Sequence, residues 1–165
     1  MTQPTPEKFI AAARALTGTR WQHQGRSERG VDCVGLLILA AEEAGIIIEA
    51  ERNYRRTPND GRLAYLLDKY CVRLPKAEPA QAGDIIAIRH EAEPQHVAIV
   101  TEATRWGPKI IHANGNEQMG GAVVEHLLDD RWLKSHRSKI HATFRPKVWA
   151  GELREKVKED CGCGA

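Results

Sequence analysis

Downstream of Gly83 the sequence is organised as short apolar runs cut by turn residues: Ile85-Ile86-Ala87-Ile88, His96 to Thr101, Lys109 to Ala113, Ala122 to Leu127, and Ile140 to Arg145. Runs of this length, rich in Ile and Val and bounded by Gly, Asn and Pro, read as strands, the first two as an antiparallel hairpin. Trp106-Gly107-Pro108 turns the second run into the third, and Asn114-Gly115 and Gly120-Gly121 bracket the loop before the fourth. Upstream the spacing is helical. Thr5 as N-cap and Pro6 in the first turn begin a helix with Phe9, Ile10, Ala13 and Leu16 on one face and Gly18 at its end. A second helix runs from Asp32 to Ala44, with Val34, Leu37, Ile38 and Ala41 near helical spacing and Gly45 as C-cap. A third, shorter one carries Leu63, Leu66, Leu67 and Tyr70 with Cys71 at its end, and a polar helical turn surrounds Trp132. Helices first and a meander of strands afterwards argue for an α+β fold rather than a parallel α/β sheet.

The 165 residues suit one domain, expected over residues 1–150, followed by a charged tail over 151–165 that reads as a marginal helix with a frayed end. A net charge of +2 with basic and acidic residues interspersed offers no basic stripe for nucleic acid. No apolar stretch approaches the roughly 20 residues that span a bilayer. Met1 to Glu7 lacks the basic and apolar regions of a secretion signal, so the expected product is made in the cytoplasm with reduced thiols. Two polar segments interrupt the pattern. Residues 19–31 deliver Trp21, His23 and Gln24 just ahead of Cys33, as a loop that walls a site would. Glu49 to Arg62, with Pro58-Asn59-Asp60-Gly61 as a turn, reads as a lid or partner surface.

The chemistry centres on Cys33, where a polar turn gives way to the second helix. A thiol at a helix start sits beside unpaired N–H groups and the positive end of the dipole, both of which favour thiolate. His96 opens one apolar run and His112 closes another, so each imidazole sits on a strand, sharing its face with Ala98 and Val100 or with Ile110. Cys33 as nucleophile, His96 as base and His112 as the group that orients it form a candidate triad for acyl transfer. Such a site attacks an amide carbonyl from a thiolate–imidazolium pair, and N–H groups at the helix start, that of Cys33 included, hold the oxyanion. The plainer alternatives are a small buried thiol and two hydrogen-bonded structural histidines. Asp32 is an N-cap or a supporting site residue, and Trp21 is a core residue or an aromatic wall. His23, His90, His126, His136 and His141 are scattered without metal-ligand spacing, so no metal or other cofactor is expected. Cys161 and Cys163 hold a soft metal, form a redox pair or are inert.

The run Gly30-Val31-Asp32-Cys33-Val34-Gly35-Leu36-Leu37, then Gly83-Asp84-Ile85-Ile86, His96-Val97-Ala98-Ile99-Val100 and Ile111-His112-Ala113, resembles the NlpC family of papain-like cell-wall peptidases over roughly residues 6–145. Thr19 to Gly25 resembles the phage-tail and gene-transfer-agent branch. The resemblance implies a minimal papain-like fold, with N-terminal helices carrying Cys33 packed on an antiparallel sheet carrying His96 and His112. It also implies hydrolysis of stem peptides of bacterial peptidoglycan, with Cys33, His96 and His112 catalytic and Asp32, Trp21 and His23 supporting or substrate-binding. Phage tail proteins are the implied partners, and the cell wall is the place of action. The family usually has Tyr where this chain has Trp21, and Ser where it has Val34. A tail-assembly or binding module with the same fold, and an amidase or acyltransferase using the same three residues, remain open.

Overall fold

A computed structural model describes residues 3–50, 52–56, 60–115 and 120–151. Helix α1 (Pro6–Ala15) begins where Thr5, in extended conformation, caps it by accepting from the Lys8 amide. A ribbon of two short strands, β1 (Arg26–Ser27) and β2 (Gly30–Val31), leads into helix α2 (Cys33–Glu43), whose N-cap is Asp32. Helix α3 (Arg62–Tyr70) runs directly into β3 (Cys71–Arg73). The remaining elements are β4 (Ile85–Arg89), β5 (Pro94–Thr104), β6 (Gly107–Ala113), β7 (Val123–Leu127), helix α4 (Asp130–Ser135) and β8 (Lys139–Pro146).

The longer strands form one antiparallel sheet in the order β3-β8-β4-β5-β6-β7. Alternation along the strands sends Ile85, Ala87, Val97, Ile99, Ile111 and Phe144 into a core with Phe9, Leu36, Leu37 and Ala40 of α1 and α2. Their neighbours Ile86, Ile88, Ala98, Val100 and Ile110 pack on the other face, against Leu128 and the α4 residues Trp132 and Leu133. Burial on both faces explains why the strands read as continuous apolar runs.

Two features pin the helices to the sheet. A Cβ at Gly35 would collide with the carbonyl oxygen of Gly25, so only glycine lets the first turn of α2 lie against the preceding loop. Asp84, fully buried at the entry to β4, receives a two-pronged ion pair from Arg145 of β8 (Nε to Oδ1 2.7 Å, Nη2 to Oδ2 2.9 Å).

The expected α+β order is found, with shifted ends. Cys71 is the C-cap of α3 and also the first residue of β3, paired with Pro146. The loop expected over residues 19–31 contains the β1–β2 ribbon. Strands of two or three residues are too short for periodicity to reveal. The expected tail beyond Gly151, with Cys161 and Cys163, lies outside the described residues, as do Pro58 and Asn59 of the expected turn.

Candidate active site

Asp32 organises the start of α2. Its Oδ1 accepts from the Gly35 amide at 2.8 Å, as an N-cap does, and its Oδ2 accepts from the Gln24 amide at 2.7 Å. The Tyr54 hydroxyl donates to both oxygens, at 2.9 and 2.8 Å, and His23 Nδ1 lies 4.0 Å from Oδ2. One buried carboxylate thus ties the helix start, the loop before it and the segment around residue 54 together, which fixes the backbone that carries Cys33.

Cys33 and His96 line the same cleft, about 360 Å3 in volume, together with Trp21, His23, Asp32, Tyr54, Arg55, Arg56 and His112. The thiol meets the main-chain N–H groups of Val34, of Cys33 itself and of Val97, the residue after His96 on β5. Trp21 forms a wall: it stacks on His23 (centroids 6.4 Å apart), and the Arg56 guanidinium lies 4.7 Å from its ring centre. The polar segment from Glu49 also lines the cleft through Tyr54 and Arg55, Tyr54 meeting His23 edge-on at 5.7 Å.

The imidazoles converge more closely than their spacing in the chain indicates. His96 Nε2 lies 2.7 Å from His112 Nδ1, which leaves Nδ1 of His96 as its other ring nitrogen, in the cleft that Cys33 also lines. His112 is 1% exposed. Its Nε2 in turn lies 2.9 Å from Nε2 of His126 on β7, and His126 Nδ1 reaches the Leu127 carbonyl oxygen at 2.9 Å. Trp132 stacks on His126 (centroids 5.4 Å apart), meets His112 edge-on (5.6 Å) and carries His136 on itself (4.1 Å). His126 and His136, read from the sequence as scattered, therefore belong to this cluster. Nothing local marks His136, whereas His126 sits within an apolar run as His112 does. The cleft residues Tyr54, Arg55 and Arg56 carry no sequence signal either. Among the described residues no group of His, Cys, Asp and Glu is arranged to hold a metal ion.

Burial dominates the electrostatics. It pushes the Cys33 thiol up to about 12, with the Asp32 charge adding to it, and the three N–H groups pull back only in part. Burial first, and then the neighbouring imidazoles His90, His136 and His126, hold His96 down at about 4. His112 is held at about 2 by burial and then by His96 and His126. Burial thus works against the thiolate expected from the helix start and favours a thiol beside a neutral imidazole.

The NlpC/P60 family model matches residues 18–138. The fold is similar to that of an NlpC/P60 family protein from Bacillus cereus, 20% identical with a TM-score of 0.64, over 89% of this chain and 41% of that one. It is also similar to an NLP/P60 family, lipoprotein-like protein from Staphylococcus aureus (22% identity, TM-score 0.60, 88% of this chain and 44% of that one). A third similar structure is the NlpC/p60 domain of the peptidoglycan hydrolase SagA (19%, 0.55, 82% of this chain and 96% of that one). At these identities the likeness establishes the shared papain-like architecture. The chain spans less than half the length of the first two proteins. No curated protein matches it.

Proposed function

The chain belongs to the NlpC/P60 family, and from that premise we propose that it is a cysteine peptidase that hydrolyses peptide bonds in the stem peptides of bacterial peptidoglycan. The observation that carries this reading is the 2.7 Å contact between His96 and His112 in a cleft shared with Cys33. Cys33 Sγ attacks the amide carbonyl carbon while its proton passes to Nδ1 of His96. The resulting oxyanion is held by main-chain N–H groups at the start of α2. Collapse breaks the C–N bond, His96 returns the proton to the leaving amine, and a thioester remains on Cys33. Water then attacks the thioester, giving its proton to His96, and the sulfur leaves as the restored thiol.

The cleft walls agree with such a substrate. Arg55 and Arg56 bring guanidinium groups to a site whose substrates would carry several carboxylates, and Trp21 offers an apolar face beside them. Asp32 acts by holding the helix start, and His23 stands between it and Trp21. Incubating the purified protein with peptidoglycan should release stem-peptide fragments, and Cys33→Ala should abolish release while preserving the fold. Unchanged release would remove Cys33 from the chemistry. Mass spectrometry of the products separates peptide hydrolysis from amidase or acyl-transfer activity on the same three residues.

Burial pushes the Cys33 thiol up to about 12, and this favours a second reading, a tail-assembly or binding module with the same fold. That reading requires wild-type protein and Cys33→Ala to bind peptidoglycan alike, with neither cutting it. The resemblance of Thr19 to Gly25 supports a phage-tail or gene-transfer setting, in which the protein is carried to the wall with tail proteins. Its absence from purified tail particles would remove that setting.

A further inference from the structure

The hydrogen bonds around His112 run in one direction. The Leu127 carbonyl oxygen can only accept, so the His126 nitrogen facing it, Nδ1, must carry a proton. In a neutral ring the other nitrogen is then an acceptor, and His126 Nε2 receives the proton of His112 Nε2 across 2.9 Å. His112, neutral in its turn, presents a bare Nδ1, which receives the proton of His96 Nε2 across 2.7 Å. That leaves Nδ1 of His96 unprotonated. It is the one nitrogen of the three rings with no imidazole or carbonyl partner, and it is the nitrogen a general base needs.

We propose that His126 is a positioning residue for the proposed hydrolysis: anchored on the Leu127 carbonyl, it sets the tautomer of His112 and through it that of His96, so that the base is always ready for the Cys33 proton. This deepens the peptidase reading and rests on it for the roles of Cys33 and His96. The surroundings preserve the chain of imidazoles. His112 is fully buried, and Trp132 lies flat on His126 and edge-on to His112, so the rings are shielded from water on that side. Burial also disfavours a second proton, which on His96 would occupy Nδ1 and on His112 would turn its Nδ1 from acceptor to donor. The Leu127 carbonyl is a fixed end because β7 pairs that residue with Lys109 of β6. A sheet backbone thereby decides the protonation of a side chain three rings away.

The test compares His126→Phe, which retains an aromatic ring against Trp132 but has no acceptor, with His126→Gln, whose amide oxygen can replace Nε2. Nitrogen-15 spectra of the full-length resting protein distinguish protonated from bare ring nitrogens. Wild-type protein should show the proton on Nε2 of His96, on Nε2 of His112 and on Nδ1 of His126. In His126→Phe both remaining rings should become tautomer mixtures, and alkylation of Cys33 by iodoacetamide at neutral pH should slow about tenfold, well short of the roughly ten-thousandfold lost when a catalytic histidine is forced wholly into the wrong tautomer. His126→Gln should restore both readouts. A proton on Nδ1 of His96 in the wild type would overturn the proposal, as would a His126→Phe variant with wild-type tautomers and alkylation. Neither measurement involves peptidoglycan, so their failure removes only the role of His126, whereas persistent hydrolysis by Cys33→Ala would remove the peptidase reading itself.

Discussion

Replacing Asp32 with Asn should speed alkylation of Cys33 and weaken the fold. The carboxylate is buried and accepts from the amides of Gly35 and Gln24 and from the Tyr54 hydroxyl. Asn preserves the shape but keeps only one acceptor oxygen, and it turns an NH2 group toward a donor. Losing charge-assisted bonds and facing donor with donor costs about 2–3 kcal/mol, which for a chain of this size lowers Tm by about 4–12 °C. Against an ordinary stability of about 5–15 kcal/mol the variant stays folded. The same charge acts on the thiol, where it is the second cause of the upward shift after burial. Two like charges about 6 Å apart at an effective dielectric of about 20 repel by about 3 kcal/mol, roughly two pKa units. A more acidic thiol is also a weaker nucleophile, with a Brønsted slope of about 0.4–0.5, so the net gain in alkylation rate at neutral pH is about tenfold. Iodoacetamide labelling followed by mass spectrometry measures it, with buried Cys71 in the same molecule as an internal reference. A folded Asp32→Asn protein whose Cys33 reacts at the wild-type rate or slower would refute the electrostatic argument.

Stability should fall on acidification. His96 and His112 are held at about 4 and about 2 in the fold against about 6.5 when unfolded, so stability is unaffected by them above pH 6.5 and falls below it, for His96 down to about pH 4 and for His112 down to about pH 2. Urea unfolding at pH 7 and pH 5 should differ by about 3 kcal/mol, and His112→Phe should flatten that difference by about half; equal stabilities at the two pH values would contradict it. Asp84→Ala strands Arg145 without its partner in the core and should cost about 3–5 kcal/mol in denaturant titrations, with a loss below about 1 kcal/mol arguing against a tight pair. Gly35→Ala should destabilise by at least about 1 kcal/mol despite the better helix propensity of Ala, because its Cβ meets the Gly25 carbonyl; a stabilised variant would show that the loop moves aside.

What could be read from the sequence was local. The apolar runs around Ile85, Val97, Ile110, Val123 and Phe144 were legible as strands because both sheet faces are buried. Thr5 and Asp32 were legible as caps because capping acts within a few residues. Cys33 stood out because a polar turn gives way there to an apolar helical stretch, with Asp32 as its cap. The features that escaped depend on distant partners. Tyr54 meets Asp32 across 22 residues of sequence with no periodicity to announce it. The upward push on the thiol comes from burial, which outweighs the N–H groups at the helix end that the sequence displays.

The histidines show where the boundary falls. His96, His112 and His126 each sit inside an apolar run, and by that signal alone they are equivalent. Strand order and register separate them: β5, β6 and β7 are neighbours, and the pairing of His126 with Ile110 and of Val124 with His112 sets His126 diagonally beside His112. A buried neutral imidazole has two nitrogens to satisfy, one as donor and one as acceptor, and leaving either unmet costs free energy. On the middle strand of three, with an imidazole on each side, His112 meets both needs only by joining its neighbours into a chain. Such a chain has a direction, and while the rings are neutral the direction is decided wherever one end meets a group that can only accept. Here that group is the carbonyl of Leu127, so in the proposed mechanism the pairing of β6 with β7 bears on the base offered to Cys33 as much as the residues of the cleft do.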